Sequence, residues 1–141
     1  MILFLLVWLG ASVTPLSAQS STDQVWKQLQ DAFTTAYKDG FKQYNYIVGY
    51  LDHATSPSVY WPLVLAGGSS YLIVGVCDNN CGDFDLALED VDRVVIASDT
   101  APDAFPRVSI NPSTTVTYWV KPTMHDCRVN PCGYGIGVFV K

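Results

Sequence analysis

The stretch of residues 67–86 constrains the fold more than any other part of the chain. Residues 71–76 are rich in β-branched and aromatic side chains and lie between a glycine pair and an Asp-Asn-Asn sequence, which predicts a strand buried on both faces. Cys77 and Cys81 flank the Asp-Asn-Asn sequence, whose residue types favour tight turns. From Asp83 onward, acidic and apolar residues alternate, as in a strand with one solvated face. The stretch therefore predicts a hairpin of two strands with a disulfide across its turn.

Turn residues divide the chain after Gly40 into short apolar segments, which is typical of a β-sandwich. The predicted strands cover residues 46–51, 59–65, 71–77, 84–88, 93–98, 107–110, 115–121 and 133–140. The sequence shows no linker or internal repeat within residues 40–141. We therefore expect a mainly β protein with one antiparallel sandwich domain over residues 41–141.

Residues 23–39 carry apolar side chains at helical spacing, and candidate N-caps lie at residues 21–23. Gly40 stands where a helix would end in a left-handed residue. The apolar stripe consists of Trp26, Leu29, Phe33, Ala36 and Tyr37. It can pack on the sheet or form an exposed arm for a partner chain. Packing is favoured because an uncovered aromatic stripe is costly in water. The N-terminal helix is thus assigned to residues 19–40.

The first 18 residues contain no charged side chain and have a short apolar segment over residues 2–9. This pattern predicts a signal peptide at residues 1–18, although the basic residue that usually begins one is missing. Four cysteines downstream agree with an oxidising compartment. We therefore expect a secreted protein, extracellular or periplasmic.

The charge balance argues against nucleic acid as a partner. The formal net charge is −5, and the eight basic residues are scattered from Lys27 to Lys141 rather than clustered. Phosphate binding relies on basic side chains gathered on one face. Nucleic acid is therefore excluded from the expected partners.

The cysteines occur as two close pairs, Cys77 with Cys81 and Cys127 with Cys132. Three connectivities exist for four cysteines, and sequence alone does not choose among them. Each close pair brackets a turn, which brings the two α-carbons within disulfide range and favours local pairing. A zinc site with four thiolates is the alternative, and export to an oxidising compartment disfavours it.

Eight of the thirteen acidic residues lie between residues 78 and 103. The candidate calcium ligands among them are Asp78, Asp83, Asp85, Asp99 and Asp103. Carboxylate oxygens suit calcium, and loops at one end of a sandwich cluster, so these side chains are expected to converge. The alternative, which is favoured, is that they are turn formers and solvated strand residues. No other cofactor is required by the sequence.

Five aromatic residues are candidates for a binding platform, namely Tyr60, Trp61, Tyr118, Trp119 and Tyr134. A sandwich core uses the same residue types, and that reading is favoured. His53 and His125 are expected in exposed loops, and no motif of a hydrolase, metalloprotease or nucleotide-binding enzyme occurs. The sequence thus predicts a protein that is not an enzyme.

Several segments resemble the bacterial pre-peptidase C-terminal domain group. They are residues 65–71, the Asp83 to Leu88 strand, residues 99–106, and residues 117–120 followed by residues 127–138. The resemblance spans about residues 58–141 and implies a jelly-roll-like β-sandwich. Such domains usually follow a secreted enzyme, whereas this chain resembles a free-standing exported subgroup with added cysteines.

Two functions fit these expectations. The first is a non-catalytic binding module for an extracellular polysaccharide, peptide or cell-envelope surface. The second is a structural or self-assembling protein that associates through the N-terminal helix or an edge strand.

Overall fold

The computed structural model describes residues 20–141, so the predicted signal peptide lies outside the described residues. The described chain contains one helix and eight strands. These are α1 (Ser21–Lys38), β1 (Lys42–Leu51), β2 (Trp61–Leu65), β3 (Tyr71–Cys77), β4 (Cys81–Glu89), β5 (Val95–Asp99), β6 (Arg107–Ile110), β7 (Val116–Cys127) and β8 (Cys132–Val140). The predicted helix and all eight predicted strands are present, with bounds that differ mainly at β1, β4 and β7.

The strands form two antiparallel sheets with the orders β1-β8-β3-β6 and β2-β7-β4-β5. Four of the strand pairs are those of one long antiparallel ribbon that folds back at the β4–β5 connection. These pairs are β1 with β8, β2 with β7, β3 with β6 and β4 with β5. Wrapping such a ribbon around itself gives the jelly-roll arrangement. The expected jelly-roll-like antiparallel β-sandwich with an N-terminal helix is confirmed.

The main core lies between the two sheets. In β4, Phe84, Leu86 and Leu88 are fully buried, while the residues between them point to the opposite face. Ile73 of β3 and Ile136 of β8 meet them from the other sheet. The strict alternation in β4 therefore sets one apolar face inward, as the sequence predicts.

The predicted hairpin of β3 and β4 is wrong. β3 pairs with β6 and β8, whereas β4 pairs with β5 and β7 in the other sheet. The connection between Cys77 and Cys81 is a corner that carries the chain from one sheet to the other. Hydrophobic periodicity identified the faces of both strands, but it contains no information on which strands pair.

The disulfides are Cys77–Cys81 and Cys127–Cys132, with α-carbon separations of 6.0 and 5.9 Å. The second also bridges a corner between sheets, from β7 to β8. Cys81 and Cys127 are register partners in the β4–β7 pair, so both disulfides lie at the same end of the sandwich. Local pairing of the cysteines is confirmed.

Helix α1 packs on the outer face of the sheet that contains β8. Val25 and Leu29 form a small apolar cluster with Val76, and Ala36 packs with Leu72 and Phe139. The favoured alternative, packing on the chain's own domain, is confirmed.

Alternate glycines in β8 allow this close approach. A β-carbon added at Gly135 would lie 2.9 Å from both the Leu29 Cδ1 and the Val25 Cγ1 atoms. One added at Gly133 would lie 2.5 Å from Ser21 Oγ. Because residues two apart in a strand share a face, the absent side chains leave a shallow channel in which the helix lies.

Candidate functional site

Asp78 is a buried structural acceptor. Its carboxylate accepts hydrogen bonds from the Gly133 N–H at 2.7 Å, from the Asn80 N–H at 3.0 Å and from the Ser21 hydroxyl. These donors belong to β8, to the corner after β3 and to the first residue of α1. Asp78 thus fastens the helix start to the sheet, and its oxygens are already occupied.

Asp99 and Asp103 organise the loop between β5 and β6. Asp99 accepts from the Ala101 N–H at 3.1 Å and from the Arg107 N–H at 3.0 Å, and Asp103 accepts from the Phe105 N–H at 2.9 Å. The loop does approach the start of β4, because the Phe84 N–H donates to the Asp103 carbonyl at 2.8 Å. The carboxylates in this loop therefore satisfy backbone donors of their own segment.

Asp83 and Asp85 project from the outer face of β4. Each has one buried carboxylate oxygen without a hydrogen-bond partner among the described residues, and the second Asp85 oxygen lies 2.8 Å from His125 Nε2. Burial raises the pKa of the Asp85 carboxyl above its ordinary value of 3.8; the nearby His125 lowers it, and the charges of Asp83 and Asp99 raise it further.

The structure describes no group of three or more histidine, cysteine or acidic side chains within residues 20–141 that is arranged to hold a metal ion. The five acidic candidates divide into the structural acceptors Asp78, Asp99 and Asp103 and the partly buried pair Asp83 and Asp85. Calcium binding stays an untested alternative, which a melting experiment can test.

Three of the five candidate aromatics belong to the core. Trp61 donates its indole N–H to the Tyr134 hydroxyl at 2.9 Å, and Tyr134 is fully buried beside Phe84. Burial raises the pKa of the Tyr134 hydroxyl, and the hydrogen bond from Trp61 opposes that rise. Tyr118 is also buried. These three side chains are not available as a binding platform.

The other two candidates, Tyr60 and Trp119, lie on the outer face of the second sheet with Arg93 between them. The Arg93 guanidinium carbon is 4.2 Å from the Tyr60 ring centre and 4.1 Å from the Trp119 ring centre. The Lys121 ammonium lies 5.3 Å from the same Tyr60 ring. The five predicted aromatics therefore fall into two groups, one in the core between the sheets and one on the outer face of the second sheet.

A different group of aromatic side chains lines a groove between α1 and β1, which sequence reasoning did not identify as a site. Trp26, Phe33 and Tyr46 are 39%, 38% and 49% exposed, and the groove has a volume of about 220 Å³. The Trp26 and Tyr46 rings meet edge to face, with their centres 5.2 Å apart. The available signal was the aromatic part of the helical stripe, of which Trp26 and Phe33 stay more than a third exposed.

Amide side chains and a free strand edge border the same groove. The polar lining comes from Gln30, Gln43 and Asn45. β1 is an edge strand that pairs only with β8 in the described chain, and the Tyr46 N–H donates to Asn45 Oδ1 at 2.8 Å. We call this groove the α1–β1 groove. It combines apolar rings and amide side chains with the free edge of β1.

No protein family and no curated protein matches the sequence. The resemblance to the pre-peptidase C-terminal domain group stays a prediction. Among solved structures, the chain is similar to Aeromonas hydrophila PliG, a periplasmic lysozyme inhibitor of g-type lysozyme. The two share 8% sequence identity with a TM-score of 0.50, over 69% of this chain and 85% of that one. At this identity the similarity shows a common fold.

Within residues 20–141, no helix combines the length and the apolar character that a membrane span requires. The fold, the two disulfides and the α1–β1 groove are the findings on which a functional proposal rests.

Proposed function

We propose that this chain is an exported, non-catalytic binding domain that holds an extended segment of a protein partner in the α1–β1 groove. The observation that carries the proposal is the placement of three half-exposed aromatic rings beside an unpaired strand edge. An extended peptide added to such an edge gains backbone hydrogen bonds, and its alternate side chains enter the adjoining groove.

The lining suits such a segment. Aromatic side chains give large contact areas at low entropic cost and are enriched in protein interfaces. The amides of Gln30 and Gln43 have no hydrogen-bond partner among the described residues, so they are free to bind polar groups of the ligand. The Asn45 side chain at the Tyr46 N–H is easily displaced, because both groups are exposed.

Two further observations support an extracellular protein partner. Two disulfides are typical of exported proteins. The structural neighbour PliG is by its description a periplasmic inhibitor of another protein. The proposal therefore selects a peptide from the ligand classes that the sequence left open, and it includes export through the signal peptide at residues 1–18.

The experiment is a parallel screen of the purified chain against a random peptide library and a glycan array. We expect selected peptides to bind the wild type and to lose about tenfold in affinity with Trp26→Ala. Phe105→Ala is the matched control, since Phe105 is an exposed aromatic outside the groove. If the wild type binds only glycans, and Trp26→Ala weakens that binding about tenfold, the ligand is a polysaccharide and not a peptide.

Self-association is the second candidate, and it rests on the other sheet. The exposed aliphatic side chains Val91, Val94, Val95 and Ile96 lie on the β4–β5 connection and on the edge strand β5. An exposed apolar edge pairs readily with another chain. Light scattering of wild type and Val95→Lys tests this: oligomers that Val95→Lys disperses support it, and a monomer at high concentration excludes it.

A further inference from the structure

The side chain of Arg93 fills a slot between Tyr60 and Trp119 on the outer face of the second sheet. Both ring centres lie within the roughly 6 Å at which a cation is attracted to an aromatic face. The slot is remote in the fold from the α1–β1 groove, which lies on the other sheet. Its two walls come from the segment before β2 and from β7.

The backbone at Arg93 is held in an unusual conformation. Its φ angle is 65°, a region that favours glycine and asparagine. Asp90 fixes this turn, because its Oδ1 accepts from the N–H groups of Asp92 and Val94, both at 2.9 Å. An arginine therefore stands where glycine would be conformationally easier, and its side chain reaches back over the sheet.

A second observation in the same place points to a cationic ligand. Glu89 is the register partner of Trp119 and projects from the same face, yet it is only 4% exposed. Its Oε2 atom has no hydrogen-bond partner among the described residues. Among the described residues, neither the Arg93 guanidinium nor the Lys121 ammonium lies within 4.0 Å of the Glu89 carboxylate. A buried carboxylate without a close cation is costly.

We infer that the Tyr60–Trp119 slot is a recognition site for an arginine side chain of a partner protein, and that Arg93 occupies it in the free protein. The planar guanidinium suits two facing rings, and a partner's arginine could also pair with Glu89, which Arg93 does not. The net charge of −5 attracts a basic partner over longer distances. Arg93 then acts as an internal competitor that must leave the slot before the partner binds.

The test measures binding of N-acetyl-arginine amide to the full chain. Binding is monitored by the change in NMR chemical shift of the Trp119 indole N–H. Arg93→Gly empties the slot and suits the positive φ angle. We expect it to bind the probe about tenfold more tightly than the wild type, and Glu89→Gln in the Arg93→Gly background to weaken that binding about tenfold. Arg93→Asn is a second emptying variant with the same expectation, because asparagine tolerates this backbone.

The controls separate recognition from an internal clamp. Arg107→Ala removes an exposed arginine elsewhere and should leave probe binding at the wild-type level. The neutral analogue N-acetyl-citrulline amide should not bind the Arg93→Gly variant. The inference is overturned if folded Arg93→Gly and Arg93→Asn bind the arginine probe no better than the wild type, or if citrulline binds equally well. The first result makes Arg93 a clamp that only holds the β4–β5 turn, and the second shows that the slot does not recognise a cation.

Discussion

Replacing Gly135 by alanine tests how α1 is held on the sheet. The new β-carbon would lie 2.9 Å from Leu29 Cδ1, 2.9 Å from Val25 Cγ1 and 3.1 Å from Leu29 Cγ. Contacts below about 3.0 Å force side chains or the helix to move. Overpacking of this kind costs about 1–3 kcal/mol. We therefore expect Gly135→Ala to lower the free energy of unfolding by about 2 kcal/mol.

A double-mutant cycle with Leu29→Ala assigns this loss to the helix contact. Leu29→Ala alone should cost about 2–3 kcal/mol, because Leu29 is buried but borders the groove and its neighbours can relax. In the double variant, two of the three close contacts at position 135 disappear. The combined loss should therefore be at least about 1 kcal/mol smaller than the sum of the single losses.

Urea unfolding of the four proteins, followed by circular dichroism, gives these free energies. The matched control is a cycle of Gly133→Ala with Leu29→Ala, because the nearest atoms to position 133 belong to Ser21, Val25 and Asp78 rather than Leu29. That cycle should be additive within about 0.5 kcal/mol. Additive losses for Gly135→Ala and Leu29→Ala would refute the packing of α1 over the β8 glycines.

Three further predictions concern charges and cross-links. Because the pKa of Asp85 is raised in the folded state, the stability of the wild type should fall relative to that of Asp85→Asn as the pH rises above 3.8. Urea unfolding midpoints of both proteins from about pH 3 to about pH 7 measure this difference, and a wild type that gains relative stability with pH would contradict the prediction. Removing either disulfide by paired Cys→Ser substitution should cost about 2 kcal/mol, since each closes a short loop; thermal unfolding measures the loss, and an unchanged Tm would count against it. The loop aspartates already accept hydrogen bonds from backbone N–H groups, so we expect equal melting curves in millimolar calcium and in chelator. A higher Tm in calcium that is lost in Asp83→Asn or Asp99→Asn would instead establish the metal site.

The sequence predicted individual elements well because burial leaves a periodic pattern. The residues of β3 are apolar at nearly every position, and the strand is buried on both faces, between the core and α1. β4 alternates and has one buried face. The partners of these strands were not predictable, since a strand's pattern reports what covers its faces and not which strand adjoins its edge.

β7 shows a second limit. Its predicted end at Lys121 precedes Pro122, yet the strand continues to Cys127. Successive N–H groups alternate between the two edges of a strand, and the Met124 N–H points toward Pro57 before β2. The Pro122 nitrogen faces the same side, where β2 pairs only as far as Val120, so the missing N–H breaks no strand pairing.

The candidate sites were partly visible in the sequence. Tyr60 and Trp119 were among the five candidate platform aromatics, for which the sequence favoured burial in the core. Their relation to Arg93 depends on the β4–β5 turn folding back over the sheet. The α1–β1 groove brings Trp26 together with Tyr46, which is twenty residues away in the sequence. Such contacts follow from helix docking, and the alternate glycines of β8 were the overlooked sign of it.

Calorimetric affinity for one selected peptide tests the proposed function most directly. The peptide is measured in its natural form and with backbone N-methylation at alternate residues, against wild type, Trp26→Ala and Phe105→Ala. If the peptide lies along β1, N-methylation on the strand-facing side and Trp26→Ala should each weaken binding about tenfold, whereas Phe105→Ala should change it less than about threefold. Equal affinity for the wild type and Trp26→Ala, with no effect of N-methylation, would contradict binding in the α1–β1 groove.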